Sequence, residues 1–155
     1  MAEYILTGIN ERATYDIESA YAPKYYKTND YNLYCDTVVS DIGIPWGIEV
    51  TTDGTMFFTE RKGSLKMMKP GQQPVEISGI PKVKYGRQGG LLDIELHPNF
   101  KDNNLIYLSY SKAKGLKSTT AITRGTLVGT ELTNLEEVFE AVSYTHLTLP
   151  TICSV

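Results

Sequence analysis

Only two cysteines, Cys35 and Cys153, occur in 155 residues. Two thiols so far apart make no disulfide framework and have no metal-binding spacing. Cys35 alternates with strand-like neighbours and reads as a small buried hydrophobe. Histidine is equally scarce. His97 and His146 are far apart, which excludes a local zinc motif. No run is long and apolar enough to span a membrane. The first residues, Met1 to Gly8, lack a basic stretch followed by an apolar one, so no signal peptide is visible. That leaves either a cytoplasmic protein or an N-terminus that is not the natural one. Charge of one sign is also missing. The net charge is −3 and the 15 basic residues are scattered, which argues against a nucleic-acid footprint.

The remaining composition is that of an ordinary globular chain, 41% hydrophobic and 21% charged, with enough residues for one small core. Residues 1–31 are rich in tyrosine (Tyr4, Tyr15, Tyr21, Tyr25, Tyr26, Tyr31) and are interrupted by Pro23. Their periodicity is weak, and they read as an N-terminal extension of uncertain order. From Asn32 the pattern changes. Strands are expected at Asn32–Ser40, Trp46–Thr51, Thr55–Glu60, Ser64–Lys69 and Pro74–Ile77. Turns fall at Asp41-Ile42-Gly43, Thr52-Asp53-Gly54, Lys62-Gly63 and Pro70-Gly71. Asp-Gly supplies positive φ at little steric cost, so it suits a tight reversal.

After a looser stretch, Ser78–Gly89, the pattern repeats. Strands are expected at Gly90–Leu96, Leu105–Ser111, Thr119–Leu127 and Glu136–Ala141. Turns are expected from His97 and over Gly129–Leu132. No helix of any length is interleaved, which excludes a parallel βαβ design and points to all-β antiparallel architecture. Two successive groups of about four strands suggest propeller blades. The strand pattern alone leaves a sandwich or a barrel equally open.

Three phrases carry a resemblance. The first is Ile44-Pro45-Trp46-Gly47-Ile48, then Asp53-Gly54, then Phe58-Thr59-Glu60-Arg61. The second runs from Gly86-Arg87-Gln88-Gly89-Gly90-Leu91-Leu92-Asp93-Ile94 into Leu96-His97-Pro98-Asn99-Phe100. The third is Ile106-Tyr107-Leu108-Ser109-Tyr110. In this order they resemble the first blades of soluble aldose sugar dehydrogenases of the glucose/sorbosone dehydrogenase type, which depend on pyrroloquinoline quinone (PQQ). The resemblance covers residues 42–141, and the Gln-Gly-Gly-Leu-Leu to His-Pro-Asn-Phe run is its most specific part. It implies an incomplete β-propeller: residues 32–141 would be about two blades of an expected six. In such enzymes PQQ and calcium lie at one mouth of the central channel. A histidine takes a proton from the sugar hydroxyl while hydride moves to the quinone, and calcium polarises the quinone oxygen. The products are lactones, and electrons pass to an external acceptor. Such enzymes work in the periplasm or outside the cell.

One site residue carries over. Gln88 matches the family glutamine that faces sugar and quinone. A neutral amide can donate to and accept from sugar hydroxyls without competing for the transferred proton. Gly89 and Gly90 would let the backbone approach a ligand. On the residues alone, a glycine-rich loop with Gln88 merely exposed is the favoured reading, and the resemblance reverses that preference. The family's catalytic base sits in a His-x-Gly-Gly-Arg-Leu motif that this chain lacks, and His97 reads as a structural turn residue. The calcium ligands and most quinone contacts lie further along in the family. The chain therefore encodes no catalytic histidine and no metal ligands. Trp46 reads as core packing between blades. Glu60 and Arg61 read as paired with neighbours at a strand end, with a direct ligand role as the alternative. Asp93 alone makes no metal site. A non-catalytic propeller that binds a carbohydrate or a protein is the other function class consistent with this fold.

The tail, residues 142–155, reads differently. Val142 to Thr151 is encoded by GTC TCT TAT ACA CAT CTG ACG CTG CCG ACG, which resembles a transposase mosaic-end sequencing adapter. The tail is thus expected to be non-native, with His146 and Cys153 carrying no function. A propeller closes its ring so that each blade covers its neighbour's apolar face. Two blades leave a bare face at each end, and Asn32–Val39 would be a closing strand without its partner blade. The isolated chain is expected to be poorly soluble and not to bind PQQ tightly. Soluble expression with stoichiometric quinone binding, followed by absorbance titration, would contradict this.

Overall fold

The computed structural model describes residues 24–115 and 117–141. The readings made above for residues 1–23 and for the tail from Val142 lie outside them. The chain divides into two units, Met1–Gly43 and Ile44–Val155.

In the first unit, β1 (Lys24–Lys27) and β2 (Asn32–Cys35) form an antiparallel hairpin with Tyr25 opposite Tyr34. Thr28 closes the turn by accepting a hydrogen bond from the Tyr31 amide at 2.9 Å. The Tyr25 and Tyr34 rings meet edge to face, 5.2 Å apart. Two expectations fail here. The strand expected over Asn32–Ser40 ends at Cys35, and the Cys35 side chain is exposed rather than buried. The cause is the same for both: a two-stranded ribbon presents no covered face, and all four β2 residues are exposed.

The second unit holds two four-stranded antiparallel sheets. The first runs β3 (Pro45–Val50), β4 (Met56–Glu60), β5 (Ser64–Met68), β6 (Val75–Ile77) in spatial order. The second runs β7 (Leu91–Leu96), β8 (Leu105–Lys114), β9 (Lys117–Val128), β10 (Glu131–Glu140). Each sheet is a simple meander, so each is one blade, with β3 and β7 as the inner strands. The turn expected at Asp53-Gly54 is present, with Gly54 at φ +82°. The Asp53 carboxylate accepts from the Thr55 amide at 3.1 Å and from the Thr51 hydroxyl. These bonds hold its pKa below the ordinary carboxylate value, the Thr51 contact contributing most.

Two departures arise in the second sheet. The segment that begins as a turn at His97 is more regular than the sequence suggests. It contains one turn of helix, α1 (Phe100–Asn103), closed by Asn104 at φ +52°. Phe100 from this turn packs edge to face on Phe57, with ring centroids 5.6 Å apart. Strands β8, β9 and β10 are also longer than expected. β10 begins at Glu131, inside the expected turn, and absorbs a bulge near Asn134.

The core lies between the two sheets. Phe57, Leu65 and Ile77 from the first meet Leu91, Ile94, Leu96, Ile106, Leu108, Tyr110, Ala121 and Leu132 from the second. Strand alternation puts Leu65 on one side and Ile106, Leu108 and Tyr110 on the other. Burying each large apolar side chain stabilises the fold by about 1.5–3 kcal/mol. Trp46 is not in this core, contrary to expectation. It is 53% exposed, as are its same-face neighbours Ile48 and Val50 on β3. About half of the tryptophan surface is therefore left open to solvent.

The inner strands approach closely. A Cβ on Gly47 would lie 2.5 Å from Asp93 Oδ1 and 2.9 Å from the Ile94 amide nitrogen. The Gly47 amide donates to the Thr59 hydroxyl at 2.9 Å, and that hydroxyl donates to the Leu92 carbonyl. Thr59 is fully buried. Beside this contact, the Glu49 carboxyl is pushed above its ordinary value, first by burial and then by the neighbouring Glu95 and Asp93 carboxylates.

Two predictions follow from the inner-strand contact. Thr59→Val keeps the shape but leaves the Gly47 amide without its partner, and should cost about 1–3 kcal/mol in denaturant unfolding. The exposed control Lys114→Ala should stay within about 0.5 kcal/mol. For Glu49, the raised value means that the folded state holds the proton more tightly than the unfolded chain. Its contribution to stability is fully present below the ordinary value of 4.5 and is lost as pH rises through the raised one. Glu49→Gln should therefore raise the melting temperature at pH 7. The gain should vanish toward pH 3, as thermal melts at the two pH values would show.

Candidate functional site

Four chain segments meet at one end of the inner strands. These are Ile44 before β3, Arg61 after β4, residues 84–90 before β7, and Ser111 within β8. Main-chain hydrogen bonds stitch them together. The Arg61 amide donates to the Ile44 carbonyl at 2.8 Å, and Leu91 donates to the Arg61 carbonyl at 3.0 Å. Ser111 donates to the Gly90 carbonyl at 2.8 Å, and Lys84 donates to the Ser111 carbonyl at 2.7 Å. A propeller repeat explains this. The connection from an outer strand to the next inner strand emerges at the same end as the turn between the second and third strands of the preceding blade.

Gln88 lies on the tip of a tight turn in this cluster. Gly86 and Gly89 bond to each other in both directions, at 3.3 and 2.8 Å. This leaves Arg87 and Gln88 as the two turn residues. Arg87 has φ +49°, an uncommon conformation for a side-chain-bearing residue. The Gln88 side chain is exposed, and among the described residues its amide makes no hydrogen bond. It is free to meet a polar ligand.

Gly89 and Gly90 are required by protein packing. A Cβ at Gly89 would sit 2.8 Å from the Ser111 hydroxyl, and one at Gly90 would sit 2.1 Å from the Arg61 carbonyl oxygen. The close approach that the glycines permit is, in this structure, an approach of the loop to its own neighbouring strands.

Glu60 and Arg61 are paired as expected, though with different partners. Glu60 takes Lys66 at 2.7 Å. The Arg61 guanidinium donates to the Arg87 carbonyl and lies 5.3 Å from the Tyr85 ring centroid. Sequence reading missed the link from Arg61 to Tyr85 and Arg87, because it joins residues more than twenty positions apart. His97 is structural, as expected. Its Nδ1 accepts from the Asn99 amide at 3.0 Å and lies 2.8 Å from the Asn103 amide nitrogen. Asp93 is exposed, its Oδ1 accepting from the Ile94 amide at 3.0 Å. Among the described residues no group of three His, Cys, Asp or Glu side chains could hold a metal ion.

The other charged cluster is a solvated one. Lys112 pairs with Glu137 at 2.8 Å and Glu140 at 2.6 Å, and Lys114 pairs with Glu140 at 2.8 Å. These pairs reach across β9 from β8 to β10. The two lysines hold the Glu140 carboxyl down to about 2. Exposed pairs of this kind stabilise little and offer no chemistry.

The family model for glucose/sorbosone dehydrogenases matches residues 42–148, and so runs from the first propeller strand into the segment read as a foreign tail. The aldose sugar dehydrogenase YliI of Escherichia coli is 39% identical over 70 residues, covering 44% of this chain and 19% of that protein. The human Hedgehog-interacting protein is 30% identical over 95 residues, covering 55% of this chain and 14% of that one. Among solved structures, the PQQ-bound aldose sugar dehydrogenase of Streptomyces coelicolor superposes with a TM-score of 0.62 at 20% identity. That superposition covers 78% of this chain and 34% of the other, and it shows the fold. This chain thus spans about a third or less of the proteins it matches. Among the described residues no helix is long and apolar enough to cross a membrane. The two meanders are part of a β-propeller, and the chain belongs to the glucose/sorbosone dehydrogenase family.

Proposed function

We propose that the chain forms the opening blades of an oxidoreductase that oxidises aldose sugars at the anomeric hydroxyl to lactones, with PQQ as hydride acceptor. The observation that carries this reading is Gln88, an exposed amide on a turn fixed by two glycines, within the segment most specific to the family. Its carboxamide can donate to one sugar hydroxyl and accept from another. It orients the sugar without taking up a proton, because an amide does not titrate near neutral pH. Gly89 and Gly90 hold the turn against the strands so that the amide points outward.

When bound, the quinone supplies the acceptor for the hydride. Among the described residues no three His, Cys, Asp or Glu side chains gather as a metal site. The described residues also present no free histidine base, since His97 is committed to its own turn. The chain by itself is therefore proposed to be inactive. The external electron acceptor and a periplasmic or extracellular setting are parts of the same proposal.

The second reading is a non-catalytic propeller that binds a protein or carbohydrate. What favours it is the similarity to the Hedgehog-interacting protein, whose name describes binding rather than catalysis.

The two readings separate in the full-length protein reconstituted with PQQ and calcium and assayed with glucose by dye reduction. The enzyme reading expects sugar-dependent reduction. It also expects Gln88→Ala to lower kcat/KM by about 10–100-fold, the loss of one or two sugar hydrogen bonds. No sugar-dependent reduction, or an unchanged kcat/KM in Gln88→Ala, would sink it.

A further inference from the structure

Arg61 is the first residue after β4, and it touches the Gln88 turn from both sides. Its main-chain carbonyl accepts from the Leu91 amide at 3.0 Å, which fixes the strand end of the turn. Its stem fills the space beside Gly90, where an added Cβ would lie 2.7 Å from Arg61 Cγ. Its guanidinium donates to the Arg87 carbonyl, one residue from Gln88. The same head lies over the Tyr85 ring, 5.3 Å from its centroid. One side chain therefore meets Tyr85, Arg87 and Gly90, which bracket the turn on three sides.

The head is committed to this loop. Among the described residues Arg61 makes no ion pair, and Glu60 beside it takes Lys66 at 2.7 Å. Arg61 Nε is buried with no hydrogen-bond partner. A buried donor left unpaired is costly, so the other contacts must hold the head in place. The turn itself needs external support. Arg87 stands at φ +49°, a region sparsely populated by residues with a side chain. A charged donor on the Arg87 carbonyl stabilises that conformation.

We propose that Arg61 is the positioning residue of the turn, setting the direction in which Gln88 presents its amide. This rests on the reading of Gln88 as the sugar-facing group. Arg61 does not touch the sugar and acts through the main chain of residue 87. A lysine could not replace it, because an ammonium lacks the planar fork that reaches a carbonyl while lying over a ring.

Amide hydrogen exchange followed by NMR on the full-length protein tests the clamp without any sugar. In Arg61→Met and in Arg61→Lys, the Gly86 and Gly89 amides should exchange about tenfold faster. The Leu91 amide should hold its protection, since its acceptor is the main-chain carbonyl of residue 61. Leu65 and Leu108, deep in the strands, should not change. Unchanged exchange at Gly86 and Gly89 would overturn the proposal. So would loss of protection at Leu65 and Leu108 in both variants, which would make Arg61 a residue of the fold alone.

Its action through Gln88 is read in the full-length enzyme by a double-mutant cycle. Arg61→Met should lower kcat/KM for the aldose. In the Gln88→Ala background the same substitution should have no further effect. Additive losses would overturn the positioning role. If Gln88→Ala leaves turnover unchanged while Gly86 and Gly89 still respond to Arg61, the sugar reading fails and the clamp stands.

Discussion

The Thr59 hydroxyl lies between two main chains that belong to different sheets. It accepts from Gly47 on β3 and donates to the Leu92 carbonyl on β7. The inner strands β3 and β7 are each the edge of their own sheet and do not pair with one another as a ladder. Their facing polar groups still have to be satisfied once buried. A threonine on β4 does this from the side, and Gly47 makes room because it has no Cβ to strike Asp93 and Ile94. The rest of the inter-sheet packing depends on that spacing. Phe57 and Leu65 meet Ile94 and Leu108 only when the inner edges are this close. The cost appears at Glu49, where burial and two further carboxylates crowd one another.

The same geometry explains what stays uncovered. Trp46, Ile48 and Val50 share one exposed face of β3. Val128, Leu135, Val138 and Phe139 lie exposed at the other end, along β9 and β10. Apolar residues at such positions need an explanation when they cluster. A propeller repeat supplies one, because every blade is apolar on both faces and relies on a neighbour for each. The two described sheets satisfy one of these interfaces, with Leu65, Leu91, Ile106 and Leu108 completely excluded from solvent.

What was legible in the sequence was local. Asp53-Gly54, Lys62-Gly63 and Pro70-Gly71 mark turns by their own backbone preferences, and the turns are there. The grouping into two sets of four strands was legible because both repeats share the same order of strands and breaks. Burial was harder to read. Trp46 and Cys35 have the composition of core residues, but burial depends on what lies opposite, and a strand cannot announce whether its face is covered. The helical turn α1 was hidden for a similar reason. His97 and Asn103 close it with a local side-chain hydrogen bond, but it is held in place because Phe100 reaches back onto Phe57, a contact that no window of neighbours contains. The long β8 and β9 outran their expected ends because their ladder continues through Ala113–Ser118 and Lys114–Lys117, where polar residues hid the strand pattern.

The candidate site was half legible for the same physical reason. Gln88 and its glycines could be found because they lie together in the chain and match a family phrase. Their setting could not, because it is assembled from Ile44, Arg61, Lys84 and Ser111 by main-chain bonds. The structure also changes what the glycines mean. Read in sequence, Gly89 and Gly90 invite a ligand to approach the backbone. In the fold their missing side chains admit Ser111 and Arg61, so they fix the turn rather than open it. For the role proposed for Gln88 a rigid turn is better than a pliable one, because an amide that is already oriented loses less freedom on binding. The turn that carries Gln88 is therefore held by contacts made one blade away, at the end of β4.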